Sequence, residues 1–596
     1  MPGKHNNIGQ FWQELKRRRV IHVITVYASS AFVLIELVDN LSEPLNLPPN
    51  LLTIVVIVLA VGFPLAILLS WLYDLTSEGI EKTKSVEEVK EGKKTVIPNA
   101  WKIATYVSFV VIVGLAVLNI VGGGKQLRVG DIQSLVILPF GNFTGDEQLE
   151  WLVFGLQASL IQDMGQISGF DVLGKTSSNA YKDAGMTLQD IASERDADAL
   201  IEADVMCHGD TICFQLRVIR AFPEETTIWS EEYREAKSQI QNLYNRITKQ
   251  IADEVKIELS PSEEALLDGS RTVDPDAYDA YLKGLYYWEK LDAESIQKSL
   301  DYFQLAIDLD PEWADPYAGL ANAWGLFGLF EFLPKSVTLP KTYKFLIKAI
   351  ELDPSSAQAH YVKAINAVWQ EWDWEQGEKS FLKSLELNPN DALCRLYYAH
   401  LLMILRRTDE AVHQANLGLK RDPLKPLVLG LYGVVMMNEG EYQSAILHFE
   451  KALAIDPDFG FAANNLRNVQ MDLAYMNGDY EKWFELWGEK ATGQWNDEGR
   501  DAVINTYHEK GHIAGIEEMF KMTEKYEDCW MGDERKAQRY LKLGDYDKAM
   551  ESLETAYEMR KMDIAYISRN KYSSHLKDNP RYMELLKKMN LPLPEN

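Results

Sequence analysis

From residue 274 onward the apolar positions recur at helical spacing, and five of these amphipathic stretches run into near-identical phrases: AIDLDPEWA, AIELDPSSA, SLELNPNDA, GLKRDPLKP and ALAIDPDFG. Their prolines are Pro311, Pro354, Pro389, Pro423 and Pro457; the first interval is 43 residues and the next three are 35, 34 and 34. A proline closing an amphipathic helix every 34 residues is the pattern of helix-turn-helix repeats that stack into a superhelix. Weaker units surround Gly478-Asp479-Tyr480 and Gly544-Asp545-Tyr546. The pattern predicts an all-α superhelical solenoid of six to eight units over 274–560, with 561–596 as a C-terminal cap.

Upstream the period changes. QSLVILPF (133–140) reads as a buried strand, 146–165 as a helix, FDVLG (170–174) as a short strand and 187–196 as a second helix. ALIEADVMCH and TICFQLRVIRA form a hairpin about Gly209-Asp210, TTIWSEEY (226–233) adds a strand, and 238–259 closes with a long helix. This order predicts a mixed sheet with helices packed on it over 133–259, joined to what precedes it by a linker at 125–132.

Three mostly apolar runs lie nearer the amino terminus, at about 20–41, 51–75 and 104–124, each long enough to span a bilayer. Lys16 to Arg19 precede the first, and Lys82, Lys84, Lys90, Lys93, Lys94 and Lys102 fall in the loop 76–103. The positive-inside rule then places a basic tail (1–19) and that loop in the cytoplasm. The resulting expectation is a three-helix transmembrane anchor over 20–124. It would make a multi-pass protein of a bacterial inner membrane, with everything after residue 125 in the periplasm.

Composition narrows the function. The formal charge is -27, yet residues 1–124 carry 11 Lys or Arg against 10 Asp or Glu, so the acid excess belongs to the rest. An acidic body argues against nucleic acid, which demands clustered Lys and Arg. No phosphate loop, HExxH, GxSxG, CxxC or EF-hand spacing occurs, so no catalytic, cofactor-binding or metal-ligating residue is expected. Cys207 and Cys213 flank the hairpin turn. A three-residue loop at 209–211 sets them opposite each other as a candidate disulfide, whereas a two-residue loop sends their thiols to opposite faces. Cys394 and Cys529 read as buried small hydrophobes.

The runs SLVILPFGNFTGDEQLEWLVFGLQASLIQDM, DVLGKTSSNAYKD and TIWSEEYREA resemble the TolB amino-terminal-like domain of bacterial membrane proteins, in which tetratricopeptide repeats follow. The likeness also touches LKRRRVIHVITVYASSAFVLIELVDNL, WLYDLTSEGI, WDWEQGEKSFLKSLELNPND and NPRYMELLKKMNLP. It implies a multi-domain chain: membrane anchor, α/β TolB-like domain, then tetratricopeptide solenoid. Relatives of this type often carry a DNA-binding winged helix or a nucleotide cyclase domain ahead of these modules. Only about 19 residues precede the first apolar run here, so neither activity is expected.

In tetratricopeptide geometry, positions 2, 5, 9 and 12 of each first helix face the inside of the superhelix. That assigns a peptide groove to Tyr278, Tyr281, Trp288, Asp315, Asn322, Gln358, Tyr361, His400, Leu427, Val434, Asn464, Arg467 and Gln470. The expected function is a non-enzymatic, membrane-anchored scaffold for a protein or peptide partner. One alternative is a signalling component that couples periplasmic binding to a cytoplasmic interactor through loop 76–103. Another is an enzyme whose site carries no recognisable motif.

Overall fold

The computed structural model describes residues 20–42, 55–56, 59, 62–63, 73–76, 79–82 and most of 132–594, leaving out 147–148, 183, 208–210, 269–271, 291–292, 330–332, 493 and 530. The chain divides into two compact units, Met1–Lys125 and Gln126–Asn596.

In the first unit, helix α1 (Val20–Ser42) and an antiparallel hairpin, β1 (Tyr73–Thr76) with β2 (Gly79–Lys82), are described. Tyr27 donates from its hydroxyl to the Leu59 carbonyl at 2.8 Å. The three-helix transmembrane anchor needs correction: among the described residues no helix is long and apolar enough to cross a membrane. The first expected span is helix α1, whose apolar run is interrupted by His22, Ser29 and Ser30 and ends among Glu36, Asp39 and Asn40. The end of the second expected span is strand β1. Most of the remainder of that span, and all of the third, lie outside the described residues. The multi-pass inner-membrane localisation and the periplasmic placement rested on counting three spans, and they are withdrawn with them.

The second unit opens on a mixed sheet in the order β5-β3-β6-β7-β8, with β4 also paired to β6. Its members are β3 (Ser134–Ile137), β4 (Gly141–Asn142), β5 (Asp171–Val172), β6 (Ala199–Cys207), β7 (Thr211–Arg220) and β8 (Thr226–Ala236). Strand β3 runs parallel to β5 and β6, while β6, β7 and β8 are antiparallel. Alternation along β3 feeds two cores. Leu135 and Ile137 pack with α2 (Glu150–Gly165) and α5 (Ile240–Glu254), whereas Val136 and Leu138 pack with α4 (Leu188–Arg195). A five-residue helix α3 (Lys175–Asn179) follows β5, a turn that strand and helix periods do not announce. Across the hairpin the Cα register sets Cys207 opposite Cys213, after an irregularity between Val205 and Cys207. Cys213 is disulfide-bonded, and Cys394 and Cys529 are free and buried.

After α6 (Pro261–Asp268) the chain is a solenoid of antiparallel helix pairs. The pairs are α7 (Pro275–Trp288) with α8 (Ala293–Leu309), α9 (Ala314–Leu329) with α10 (Lys335–Leu352), α11 (Ala357–Asn366) with α12 (Trp374–Leu387), and α13 (Ala392–Ile404) with α14 (Thr408–Arg421). They continue as α15 (Pro426–Asn438) with α16 (Tyr442–Ile455), α17 (Gly460–Met476) with α18 (Tyr480–Ala491), α19 (Asp497–Lys510) with α20 (His512–Lys525), and α21 (Asp533–Leu543) with α22 (Tyr546–Glu558). The terminal segment holds a 3-10 turn at Met562–Tyr566, α23 (Asn570–Leu576) and α24 (Pro580–Lys588).

Each repeat proline stands two residues beyond the end of a second helix, at α8, α10, α12, α14 and α16. Asp353, Asn388, Asp422 and Asp456 precede four of them and leave the helical region, with ψ of 97°, 89°, 68° and 94°. Proline's ring excludes helical geometry from the residue before it, so these prolines end their helices by sterics. Glycines then let aromatic side chains enter between paired helices: a Cβ at Gly284 would lie 2.5 Å from the Phe303 ring, and one at Gly433 2.6 Å from that of Phe449. The long first interval is spent on the connection before α10 and on the 18 residues of α10 itself.

Candidate functional site

Successive first helices α7, α9, α11, α13, α15 and α17 form the inner face of the solenoid, and the protein's own chain covers much of it. Helix α2 of the α/β domain lies along α7, where Gly155 admits Leu282 so closely that a Cβ would meet it at 2.7 Å. Beside this contact the Tyr278 hydroxyl is 3.4 Å from Ser159 Oγ, and Tyr244 donates to the Leu156 carbonyl at 3.0 Å. Asp163, on the same helix, is pushed up to about 7 by burial and then by the neighbouring Asp315 carboxylate. Asp315 accepts from Trp313 Nε1 at 3.0 Å and from Gln241 Nε2 at 3.5 Å.

The repeat turns hold the same domain by polar contacts. Asn390, in the turn before α13, donates to the Gly165 and Phe170 carbonyls and accepts from the Val172 amide. Asp422, in the turn before α15, accepts from the Ser177 amide at 2.8 Å and from its hydroxyl at 2.6 Å; that hydroxyl in turn accepts from the Leu424 amide. Gly174 donates its amide to the Arg421 carbonyl, and Lys420 and Arg421 both pair with Asp171. Residues already exposed by the proline turns thus become the docking surface for β5 and α3.

The opposite ends of the first helices are covered by the terminal segment. After α11 the chain widens into a π-helical stretch, Ala367–Glu371, and leaves it at Trp372 with φ of 60°. Trp369 Nε1 donates to the Tyr566 hydroxyl oxygen at 3.0 Å. That oxygen lies 3.2 Å from His400 Nδ1, while His400 Nε2 is 3.0 Å from the Leu431 carbonyl. A carbonyl can only accept, so Nε2 carries the proton and Nδ1 accepts from Tyr566. Burial lowers His400 to about 4, which keeps it neutral in this chain of bonds. Ser568 donates to the Ile404 carbonyl at 2.6 Å, Trp374 Nε1 donates to the Met589 carbonyl at 2.6 Å, and Tyr557 stacks on Trp372.

Between the α/β domain and the inner face a cavity of about 230 Å³ remains. Its walls include Gln162 from α2, Lys175 from α3, Trp288 and Glu289 from the end of α7, Gln358 from α11, and Asn388, Asp391 and Asp422 from the turns. Lys175 Nζ and Lys425 Nζ flank the two oxygens of Glu289 at 3.7 and 3.6 Å. Burial lowers Lys175 to about 8 despite Glu289. Burial raises Asp422 and Asp391 above the ordinary carboxylate range. The two lysines outweigh burial at Glu289 and hold it below that range.

The residues expected to form a groove are therefore dispersed. Tyr278, Tyr281, Asn322, Tyr361, His400, Leu427 and Val434 are buried, and Asp315 is half-buried at the α2 contact. In this structure they pack the chain against itself. Trp288 and Gln358 line the cavity. Only α17 presents its share outward: Asn464 is exposed, Gln470 half-buried, and Arg467 half-buried with Nε 3.9 Å from Glu489. The cavity residues Lys175, Glu289, Asp391 and Asp422, and Lys425 beside Glu289, went unnoticed in the sequence. Their one signal was placement in or beside turns, which does not distinguish them from solvated charge.

Residues 426–459 and 535–561 match family models described as tetratricopeptide repeat. The protein named "Putative adenylate cyclase 3" from Rhizobium meliloti (strain 1021) is 24% identical over 246 residues, 40% of this chain and 40% of that one. "Transcriptional regulator HilA" of Salmonella typhimurium is 26% identical over 151 residues, 25% of this chain and 27% of that one. The chain thus spans less than half the length of either relative. The crystal structure of a thermophilic tetratricopeptide protein of Thermus thermophilus aligns with 15% identity and a TM-score of 0.28, covering 32% of this chain and 98% of that one. With its proline-closed helix pairs and these two matched segments, the chain is a mostly helical solenoid carrying tetratricopeptide repeats.

Proposed function

We propose that this protein is a non-enzymatic interaction scaffold that engages a protein or peptide partner along α17. The observation that carries this reading is the contrast on the inner face. The inner-face positions of the first helices from α7 to α15 are buried in the chain itself, half-buried at its contacts or line the cavity, whereas Asn464 is exposed and Arg467 and Gln470 are half-buried. An extended peptide there would find amide groups for its backbone and one guanidinium for a carboxylate. Residues 133–259 are read as a TolB amino-terminal-like domain on the motif resemblance, with the role of bracing the repeats. The cyclase and regulator names of the two relatives belong to proteins of which this chain matches less than half, and neither activity is taken over.

A peptide array probed with the purified full chain tests this. The expected result is a set of bound peptides whose affinity falls at least ten-fold in both Arg467→Ala and Gln470→Ala, with the melting temperature unchanged. Binding that ignores these substitutions but responds to Leu447→Asp on α16 would overturn the assignment, as would an array with no bound peptide.

A further inference from the structure

The mixed sheet ends on two edges of different kinds. At one, β5 is two residues long, the Val172 amide donates to Asn390, and Lys420 and Arg421 pair with Asp171. At the other, β8 runs for 11 residues, the longest strand of the sheet, and pairs with β7 alone. Among the described residues, no backbone group between Trp229 and Glu235 bonds to anything beyond β7. Natural sheets blunt a long edge with proline, lysine or a bulge. Strand β8 has no proline and no lysine, and its one register shift falls between Thr227 and Trp229, near its start. From Trp229 to Ala236 the register is unbroken. Every second residue of such a stretch turns its N–H and C=O outward, so roughly four residues offer an unused donor and acceptor over about 27 Å. The template is also braced: Cys213, the register partner of Arg234, is disulfide-bonded, which ties down the end of β7 on which β8 lies.

Side chains along this edge are mostly of one sign. Residues 224–236 hold Glu224, Glu225, Glu231, Glu232 and Glu235 against Arg234. Glu231 and Glu235 share the face of Tyr233, where Gln250 of α5 donates to Glu231 at 3.3 Å and Arg246 pairs with Glu235 at 2.7 Å. Glu232 turns to the opposite face. It, Glu224 and Glu225 are exposed, and among the described residues no cation lies within 4 Å of them. A second copy fits badly here. Two β8 strands paired antiparallel in full overlap would set Glu231 opposite Glu231, and a pairing centred one residue on would do the same to Glu232; like charges so placed are destabilising. Lysine or arginine at those positions of an incoming strand would meet carboxylates instead. We propose that β8 is a docking edge for an extended, lysine- or arginine-rich segment of a partner protein, which joins the sheet as a further strand beside β8. Backbone hydrogen bonds supply the affinity, and the glutamates select the sign of the partner. The docking edge is separate from α17, in a different domain, and does not rest on the reading given above for that helix.

Fluorescence anisotropy of the full chain with a labelled octapeptide of alternating lysine and valine tests the proposal. The controls are the glutamate–valine octapeptide and two lysine–valine octapeptides N-methylated at every second amide, one in each phase, which keep the charge and break the ladder. The expected result is a Kd below about 100 μM for the lysine peptide, with the glutamate peptide and at least one methylated peptide ten-fold weaker or more. Amides of 229–235 should exchange hydrogen more slowly once the lysine peptide is bound. Glu231→Lys combined with Glu232→Lys, both exposed positions, should weaken the lysine peptide at least ten-fold and strengthen the glutamate one, with the melting temperature unchanged. Absence of binding would overturn the proposal. So would two methylated peptides that bind as tightly as the parent peptide, which would show attraction to an acidic surface only, or a double variant that binds like the parent chain. A dimer of the full chain in sedimentation, lost in the double variant, would give the edge to a second copy and overturn it as well.

Discussion

His400 is neutral because burial disfavours its charge; in that state the Leu431 carbonyl takes its one proton and the Tyr566 hydroxyl donates to its other nitrogen. Trp369 completes the chain by donating to the same hydroxyl. Tyr566→Phe would strand one donor and one acceptor in a buried place, so we expect a loss of about 2–4 kcal/mol in urea-monitored stability. Asp163 poses the opposite problem, since burial and Asp315 disfavour its charge. Its carboxyl keeps a proton up to about pH 7 when folded, against about 4 when unfolded. The folded state therefore holds more protons between those values, and stability falls as pH rises through that window and then levels. Asp163→Asn should gain about 1–3 kcal/mol over the parent at pH 8, with the gain vanishing near pH 4, as measured by denaturation at each pH. Cysteine chemistry is equally local. With Cys213 bonded and Cys394 and Cys529 free, thiol titration of the denatured, unreduced chain should find only these two.

Helices are the next scale, and their ends carry the information. A proline two residues past five of the second helices disfavours helical geometry in the residue before it, and at α12 and α14 that residue or a near neighbour becomes a contact. Asp422 shows both roles, terminating α14 and gripping Ser177. The match of α2 to α7 turns on Gly155, where any side chain would enter Leu282, including its Cβ at 2.9 Å. Gly155→Leu should cost about 1–3 kcal/mol by overpacking and should make the junction near Ser260 cleavable under limited proteolysis. The π-helical stretch after α11 is a further element of this kind: by widening the turn it leaves Trp369 bonded to Tyr566 and Gln370 near Met562. Such widenings give no periodic signal, because they are set by the neighbour they reach.

At the scale of the second unit, the solenoid is closed over by the segments that flank it in sequence. The α/β domain holds the turns before α13 and α15, and the terminal helices hold the far ends of α11 and α13. The double variant Asn390→Ala with Ser177→Ala should uncouple the two domains, splitting a single calorimetric transition into two. A single transition at unchanged temperature would show that these bonds do not hold the docking.

The repeats are legible in the chain alone, because a helix pair must bury one stripe and stop on schedule, and both demands are written locally as period and proline. Strand β3 is legible as a buried strand from its short apolar run, but that its two faces feed separate cores is visible only in the tertiary structure. The expected three-helix anchor is not supported, because among the described residues no helix is long and apolar enough to cross a membrane, and the first run is broken by His22, Ser29 and Ser30. Who fills the inner face is a matter of tertiary packing. Ser177 meets Asp422 across 245 residues, and Trp369 meets Tyr566 across 197. Pairings at such separation leave no periodicity in either partner, so aromatic and amide residues that look fit to receive a peptide look the same when they receive the chain's own ends.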